Sequence, residues 1–568
     1  MIRKALRSRF GWVWVLLLLI SANLALSFLP FRLDLTAERR YTLSEPVKEM
    51  LKGLDDGVSV TVLLDGDMPA GFRRLSGSAE DMLNAFRRAA PGAVSFRFER
   101  PGIGMDDSSR IILYDSLQRL GVNPTNVKAQ TKKGESAEET LVFPGAVVSY
   151  KGREAGVDFL QGVGSAGLDA LNRSEALMEY KLAEAIRKVS RDTVPMVGYL
   201  AGNGEPLDLR VYDLIERTLR PNYGFRILPI DSVSSIPTVF RALCVVKPLV
   251  PFTETQKFKI DQYIMNGGRV VWMLDRLYAG LDSLERSEGQ FIAFDLGLNL
   301  EDLLFKYGVR INTDLVQDLQ NDGIPSVVGK VGDKPQIQVL PWPYHPLLRD
   351  PVGHPVTRNL DYVVSQFPHS IDTVKSPGIR KTILLTTSPN SRILQTPARV
   401  EWNSIRKEED LREFNRGSVP VAVLLEGGFT SLYANRVSQS LSDSMAAAGR
   451  PFLPSASAPN RMAVVADGDL ALNPVSQQDG PLSMGMNGYT RQSYANRDFL
   501  LNLLTYLTDD SGILEARGKD YTLRLLDPEK VEREKTFWQV FNIAAPILTV
   551  LLFLAGFRAW HRRRYARA

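Results

Sequence analysis

Few of the 568 residues have the type and spacing that chemistry requires. The single cysteine, Cys244, lies inside the apolar run ALCVVKPLV. A catalytic thiol needs a sharp, exposed elbow and a base within hydrogen-bond reach. Here Val245 and Val246 follow where Gly is expected, and the nearest histidine in sequence is His345, so Cys244 is expected as a small buried core residue. GNGEP (202–206) presents Asn203 and Glu205 after an apolar strand, and VVWMLD ends on Asp275. Strand ends of α/β sheets are where ligands bind, which makes Asn203, Glu205 and Asp275 the candidate contacts. Closure of a turn is the expected role of GNGEP itself.

The remaining motifs read as turns. DGD occurs at 65–67 and 467–469, each after an apolar strand. Two carboxylates can hold a hard cation, but the Ca²⁺-loop pattern is missing and turn use is expected. His345, His354 and His369 are spaced 9 and 15 apart, and each is adjacent to Pro. That spacing suits neither a helical pair nor a zinc finger, so packed, Pro-ordered loops are expected and no metal is assigned. GVGSAG (162–167) lacks the acidic partner that dinucleotide binding needs at the next strand end. No G-x-S-x-G and no P-loop occurs, so any ATP-driven machine this chain serves takes its ATPase from another subunit.

The elements that must position these residues alternate between strand and helix. VSVTVLLDGD (58–67), a helix over 78–90 and AVSFRFERP (93–101) form a β-α-β succession. Ser44 is placed to cap a helix to Leu54, and 113–122 reads as another helix. A loop or hairpin tip is expected at 128–140, and two strands at 141–160. This first unit is expected to be α/β and thioredoxin-like in outline, without a C-x-x-C. A helix over 172–190, with Asn172 as cap and Glu175 as its capping-box partner, leads into a second α/β unit. There VPMVGYLAGNGEP (194–206), a strand running into a Gly-rich turn, and the apolar strands FRILPI, ALCVVKPLV and VVWMLD alternate with helices at 208–220 and after 252, as a covered, mainly parallel sheet requires. Later strands are expected at 382–389, 419–427 and 461–470. The small-residue stretch 438–460 is expected to be a mobile loop, and 496–510 an amphipathic helix.

Charge and hydropathy set the surroundings. The chain carries +5 overall, but nine basic residues crowd its ends: Arg3, Lys4, Arg7 and Arg9, then Arg558, Arg562, Arg563, Arg564 and Arg567. The stretch between them is therefore net −4, which argues against nucleic acid as a partner. Beside those basic ends, 10–30 and 536–557 are free of charge, and each is long enough to cross a bilayer as a helix of about 20 residues. Basic flanks favour the cytoplasmic face, so both ends are expected inside and the bulk outside. The first span exceeds the usual signal-peptide core, and retention is expected.

Several segments in combination carry a resemblance: FRLDLTAERRYTLSEP, LNRSEALMEYKLAEAI, GNGEP, WPYHPLL, GHPVTRNLDYV, VVADGDL and NRDFLLNLLTYLTDD. Together they resemble the GldG family of gliding-motility-associated ABC transporter auxiliary proteins of Bacteroidetes. The resemblance implies a two-span inner-membrane subunit working with a multi-span permease (GldF-like) and a cytoplasmic ATPase (GldA-like), in one copy or more per complex. It also implies a central domain shared with intraflagellar-transport proteins and related to amidotransferase-like folds. No catalytic residue is carried over.

The expected organisation is thus α/β, with two transmembrane helices flanking tandem extracytoplasmic domains. Its parts are a basic cytoplasmic end (1–9), a span (10–30), a first α/β domain (31–170) and a second, amidotransferase-like one (171–514). A membrane-proximal segment (515–535), a span (536–557) and a basic tail (558–568) follow. The expected function is a periplasmic auxiliary subunit, scaffold or binding, without cofactor or catalysis of its own. A solute receptor and an extracytoplasmic hydrolase are the alternatives. Coupling to a permease must pass next to the membrane, which adds Asp34, Arg39 and Arg40 to the candidate contacts.

Overall fold

The computed structural model describes residues 42–66, 68–129, 138–160, 168–287, 289–331, 334–402, 408–447, 449–518 and 528–565, with Val13, Leu17, Ile20, Ser21 and Leu24. They fall into two units, divided after Asp520.

The first unit begins with α1 (Glu45–Lys52), β1 (Val58–Val62), α2 (Ala70–Ala89), β2 (Val94–Phe98) and α3 (Asp107–Arg119). A hairpin of Thr125–Ala129 and Glu138–Val142 follows, then β3 (Gly145–Tyr150) and β4 (Arg153–Asp158). Val58, Val60 and Val62 alternate inward, so β1 occupies the middle of a sheet ordered β2-β1-β3-β4. β1 runs parallel to β2 and antiparallel to β3.

Three local expectations change here. α2 starts at Ala70, not 78, because Phe72, Leu75, Ala79, Met82, Leu83 and Phe86 form one continuous apolar stripe. Gly71 lies inside that helix, where a Cβ would come within 2.5 Å of Leu171 Cδ1; it marks close packing, not a turn. The helix expected over 172–190 is two, α4 (Leu168–Ala176) and α5 (Met178–Ser190). Asn172 is therefore no cap. Its Oδ1 accepts from Arg74 Nη2, and Glu175 Oε1 pairs with Arg74 Nε at 2.5 Å, fastening α4 to α2. Ser44 does precede α1, but its N–H and Oγ donate to the buried Glu179 Oε1 at 2.7 and 2.8 Å instead of capping the helix. α5 packs on β3 and β4 of the first sheet.

The second sheet contains β5 (Met196–Ala201), β6 (Gly224–Pro229), β7 (Phe240–Val246), β8 (Arg269–Met273), β9 (Ile379–Thr386), β10 (Pro420–Gly427) and β11 (Asn460–Val465). Its order is β9-β10-β11-β8-β7-β5-β6. The five strands from β11 to β6 are parallel, and β10 is antiparallel to both of its neighbours. The sheet is thus mainly parallel, and the unbroken apolar runs of β7 and β8 are buried as that arrangement demands. Helix α6 (Glu254–Met265) crosses from β7 to β8 and opens with a full capping box between Thr253 and Gln256. Helix α7 (Asn496–Thr508) covers β7, β8 and β11 through Phe499, Leu500, Leu503, Leu504 and Leu507.

Elsewhere the chain departs from its expected elements. Residues 208–220 form a 3₁₀ turn (Leu209–Val211) and a π-helix (Asp213–Leu219). The expected loop 438–460 contains a helix, Gln439–Ala447, whose nine residues include neither Gly nor Pro. Between β8 and β9 the chain builds small antiparallel sheets, with a long hairpin of Asn321–Val331 and Lys334–Leu348. His345 lies on that hairpin, not in a loop, with its ring against Trp342 and Phe367.

The second unit is one helix, α8 (Pro528–Tyr565). Its stretch Arg533–Arg563 is long and apolar enough to cross a membrane. The expected first span falls on residues of which only the five named above are described, each of them helical.

Candidate functional site

Strands β11, β8 and β7 are parallel neighbours, so their C-terminal ends open on one edge of the sheet. Each runs straight into charge: β7 into Lys247, β8 into Asp275 and β11 into Asp467, Gly468 and Asp469. The Lys247 ammonium lies 2.9 Å from Asp275 Oδ2 and 2.5 Å from Asp469 Oδ2. Gly468 N–H donates to Asp275 Oδ1 at 2.6 Å, which ties the β11 end to the β8 end. Asp467 accepts from Asp469 N (2.7 Å), Leu470 N (3.2 Å), Gln366 N (2.9 Å) and Ser365 Oγ. Lys247 has φ 45°, and a Cβ on Gly468 would come within 2.8 Å of the Lys247 Cβ, so glycine is required at the centre of this DGD.

Three carboxylates around one ammonium set the electrostatics. Burial, with Asp469 and Asp275 beside it, pushes the Asp467 carboxyl up to about 8. Burial also raises Asp469, to about 6, with Lys247 pulling the other way. Burial by itself would lower Lys247, but Asp275 and Asp469 outweigh it and hold the ammonium above the ordinary lysine range. Oxygens of Asp275, Asp467 and Asp469 lie within 4.8 Å of one another, a donor set that suits a hard cation. Lys247 already pairs with two of these carboxylates, and Asp467 accepts from four donors. The cluster is chemically an ionic lock on three loops.

Asn203 and Glu205 come together at the end of β5, where the chain goes to β6 on one side and to β7 on the other. Glu205 Oε2 accepts from Gly202 N (3.0 Å) and Asn203 N (2.7 Å), and burial raises its carboxyl. Asn203 Nδ2 donates to Pro251 O (3.2 Å) and Gln256 Oε1 (3.1 Å), while Leu249 N and Val250 N both donate to Asn203 O at 2.8 Å. These bonds close the turn and sew it to the loop after β7. Of the expected contacts, then, Asn203 and Glu205 meet, Asp275 joins the Lys247 cluster, and Asp34, Arg39 and Arg40 lie outside the described residues. GVGSAG lies outside them too. The sequence does not single out Lys247, and its expected turn at 467–469 supplies Asp467 and Asp469 to the cluster. The signal was present in CVVK, WMLD and VVADGD, three apolar strands that each end in charge.

Cys244 points into the core, and burial pushes its thiol up to about 12. His369, whose Nδ1 is 2.5 Å from Asp314 O, has its backbone N–H on Ala466 O beside Asp467 and feels the charges of Asp275 and Lys247, whereas His354 Nδ1 accepts from Val356 N at 3.2 Å and burial pushes His345 down to about 3. A small cavity of about 30 Å³ adjoins Asp275, and a wider one of about 540 Å³ lies among the inserted strands around Arg310, Asp314, Asp372 and Arg416.

Residues 195–503 match a protein family described as an ABC-type uncharacterized transport system. Residues 37–149 match a domain of unknown function, DUF7088. No curated protein matches the chain. Among solved structures, the chain is similar to the mmIFT52 N-terminal domain, at 14% identity over 56% of this chain and 98% of that one, with a TM-score of 0.29.

Proposed function

This chain belongs to the ABC-type uncharacterized transport system family, and on that premise we propose that it is a membrane-anchored auxiliary subunit of an ABC-transporter-like complex, a scaffold or binding subunit without catalysis of its own. The family match, which spans both the parallel sheet and the Lys247 cluster, carries this reading. The apolar helix α8 supports membrane association. We further read the chain as two-pass, with both basic ends cytoplasmic and the bulk periplasmic, on the strength of the charge-free stretches 10–30 and 536–557 and their Arg-rich flanks.

The finer assignment follows the GldG-like segments: a link to gliding motility or envelope secretion, with GldF-like and GldA-like partners. The first sheet is read as thioredoxin-like and the second as amidotransferase-like. Function is then mechanical, because loops locked by buried ion pairs make a rigid body against which a permease can move. Affinity purification of the tagged chain from native membranes tests the proposal. A multi-span permease and a cytoplasmic ATPase are the expected companions; recovery of a lone, stable chain under several mild detergents would overturn it.

A further inference from the structure

A cleft of about 270 Å³ runs between the end of β4, helices α5 and α7, and the turn Ile513–Gly518. Five cations line it, Lys181, Arg187, Lys188, Arg191 and Arg517, against three carboxylates, Asp158, Glu184 and Asp498. Two of those carboxylates are already engaged. Glu184 holds Arg187 at 2.7 Å, and Asp158 accepts from Asn123 Nδ2 (3.1 Å) and Leu160 N (3.0 Å). Lys181, Lys188, Arg191 and Arg517 form no ion pair among the described residues, although Asp498 shares their cleft.

What these cations do touch is neutral. Lys181 Nζ donates to the carbonyls of Asp158, Phe159 and Leu160 at 2.8, 3.0 and 2.9 Å. Lys188 Nζ donates to Asn222 Oδ1 (3.0 Å) and Arg191 Nη2 to Asn222 O (2.7 Å). Arg517 reaches Asn502 Oδ1 (3.2 Å) and Arg358 O (3.1 Å), with its guanidinium 5.1 Å from the Tyr180 ring. Such partners orient a cation without neutralising it. Arg517 is 3% exposed, and its Nε finds no acceptor; nor does the buried Nε of Arg191. Buried donors left this way are costly unless a ligand meets them. Burial holds Lys181, Lys188, Arg191 and Arg517 all below their ordinary values, while Asp158 and Asp498 pull Lys181, Glu184 pulls Lys188 and Arg191, and Asp498 pulls Arg517 the other way.

We propose that this cleft binds a small anion bearing a phosphate or carboxylate group, held by Lys188, Arg191 and Arg517. The volume falls just below the roughly 300–1,000 Å³ of sites for drug-sized ligands, which favours a compact solute over a polymer. Fork-shaped guanidinium donors suit either headgroup. Bound there, the anion joins α5, α7 and the last described turn before α8. The inference stands apart from the transporter reading, since it is measured on the solubilised full chain with no partner present.

Calorimetric titration with inorganic phosphate and, separately, with succinate tests the site, each against sodium chloride at matched ionic strength. Saturable binding of one or both is expected, and the stronger of the two identifies the headgroup. Replacing Lys188→Gln together with Arg191→Gln should weaken binding roughly tenfold or more, with unchanged melting in chloride, whereas Arg119→Gln on α3 should bind as the parent does. Absence of saturable binding to both anions, or a double variant that binds like the parent, overturns the proposal.

Discussion

Lys247 and Asp275 join the C-terminal ends of two neighbouring parallel strands through an ion pair of 2.9 Å, and Asp469 brings in a third strand. The three residues are far apart in sequence, yet the sheet order β11-β8-β7 sets them side by side. Because the pair is almost wholly buried, its partners stabilise one another mainly by preventing an uncompensated charge.

Removal of the ammonium by Lys247→Met is therefore expected to cost about 3–5 kcal/mol near neutral pH. The loss depends on pH with a definite sign. In the folded state Asp467 and Asp469 are raised to about 8 and about 6, so their stabilising protons are fully held below the unfolded carboxylate range and are lost as pH climbs through those values. Without Lys247 the carboxylates rise further, and the variant's deficit should be smaller at pH 5 than at pH 8. Urea denaturation at both values checks this; an equal deficit would contradict it.

Gly468→Ala presses a methyl against the Lys247 backbone and Cβ, at 3.0 and 2.8 Å. A loss of about 1–3 kcal/mol is expected, as for overpacking of a tight site. Gly57→Ala, which meets nothing within 4 Å, is the control and should melt like the parent.

Asn203→Ala deletes the amide that binds Pro251 O and Gln256 Oε1. The unpaired buried acceptors should cost about 1–3 kcal/mol. If thermal unfolding of the variant matched that of the parent, the stitching role of GNGEP would be wrong.

Cys244 should resist maleimide in the folded chain and react only after denaturation, because its thiol is buried and pushed up to about 12. Rapid native labelling, followed by mass spectrometry, would show that the strand opens.

That silent cysteine makes the chain a ready background for topology. Leu249→Cys, at an exposed position, should react with an impermeant maleimide in intact spheroplasts. Arg562→Cys should react only after permeabilisation. The reverse pattern would invert the proposed orientation.

Much of the secondary structure was legible because its causes are local. The apolar runs of β7, β8, β10 and β11 announced buried strands, and the helix expected after 252 is α6. The departures come from contacts with residues distant in sequence. The helix expected from 78 starts at Ala70, with Gly71 inside α2 where a Cβ would meet Leu171. Ser44 looked like a cap and instead serves Glu179, 135 positions away. The strands between β8 and β9 went unassigned because their short runs rich in Pro and polar residues make no clear period.

By itself, the sequence determined the α/β class, the apolar helix at 536–557, the charge asymmetry and the absence of a P-loop, since composition and periodicity act over a few residues at a time. Only the tertiary structure decided which charges meet. Lys247, Asp275 and Asp469 converge because of strand order, and the cations of α5 reach Arg517 because that helix packs beside the turn at 513–518. Coulombic interaction depends on distance through space and on burial, and neither is written in the spacing of residues along the chain.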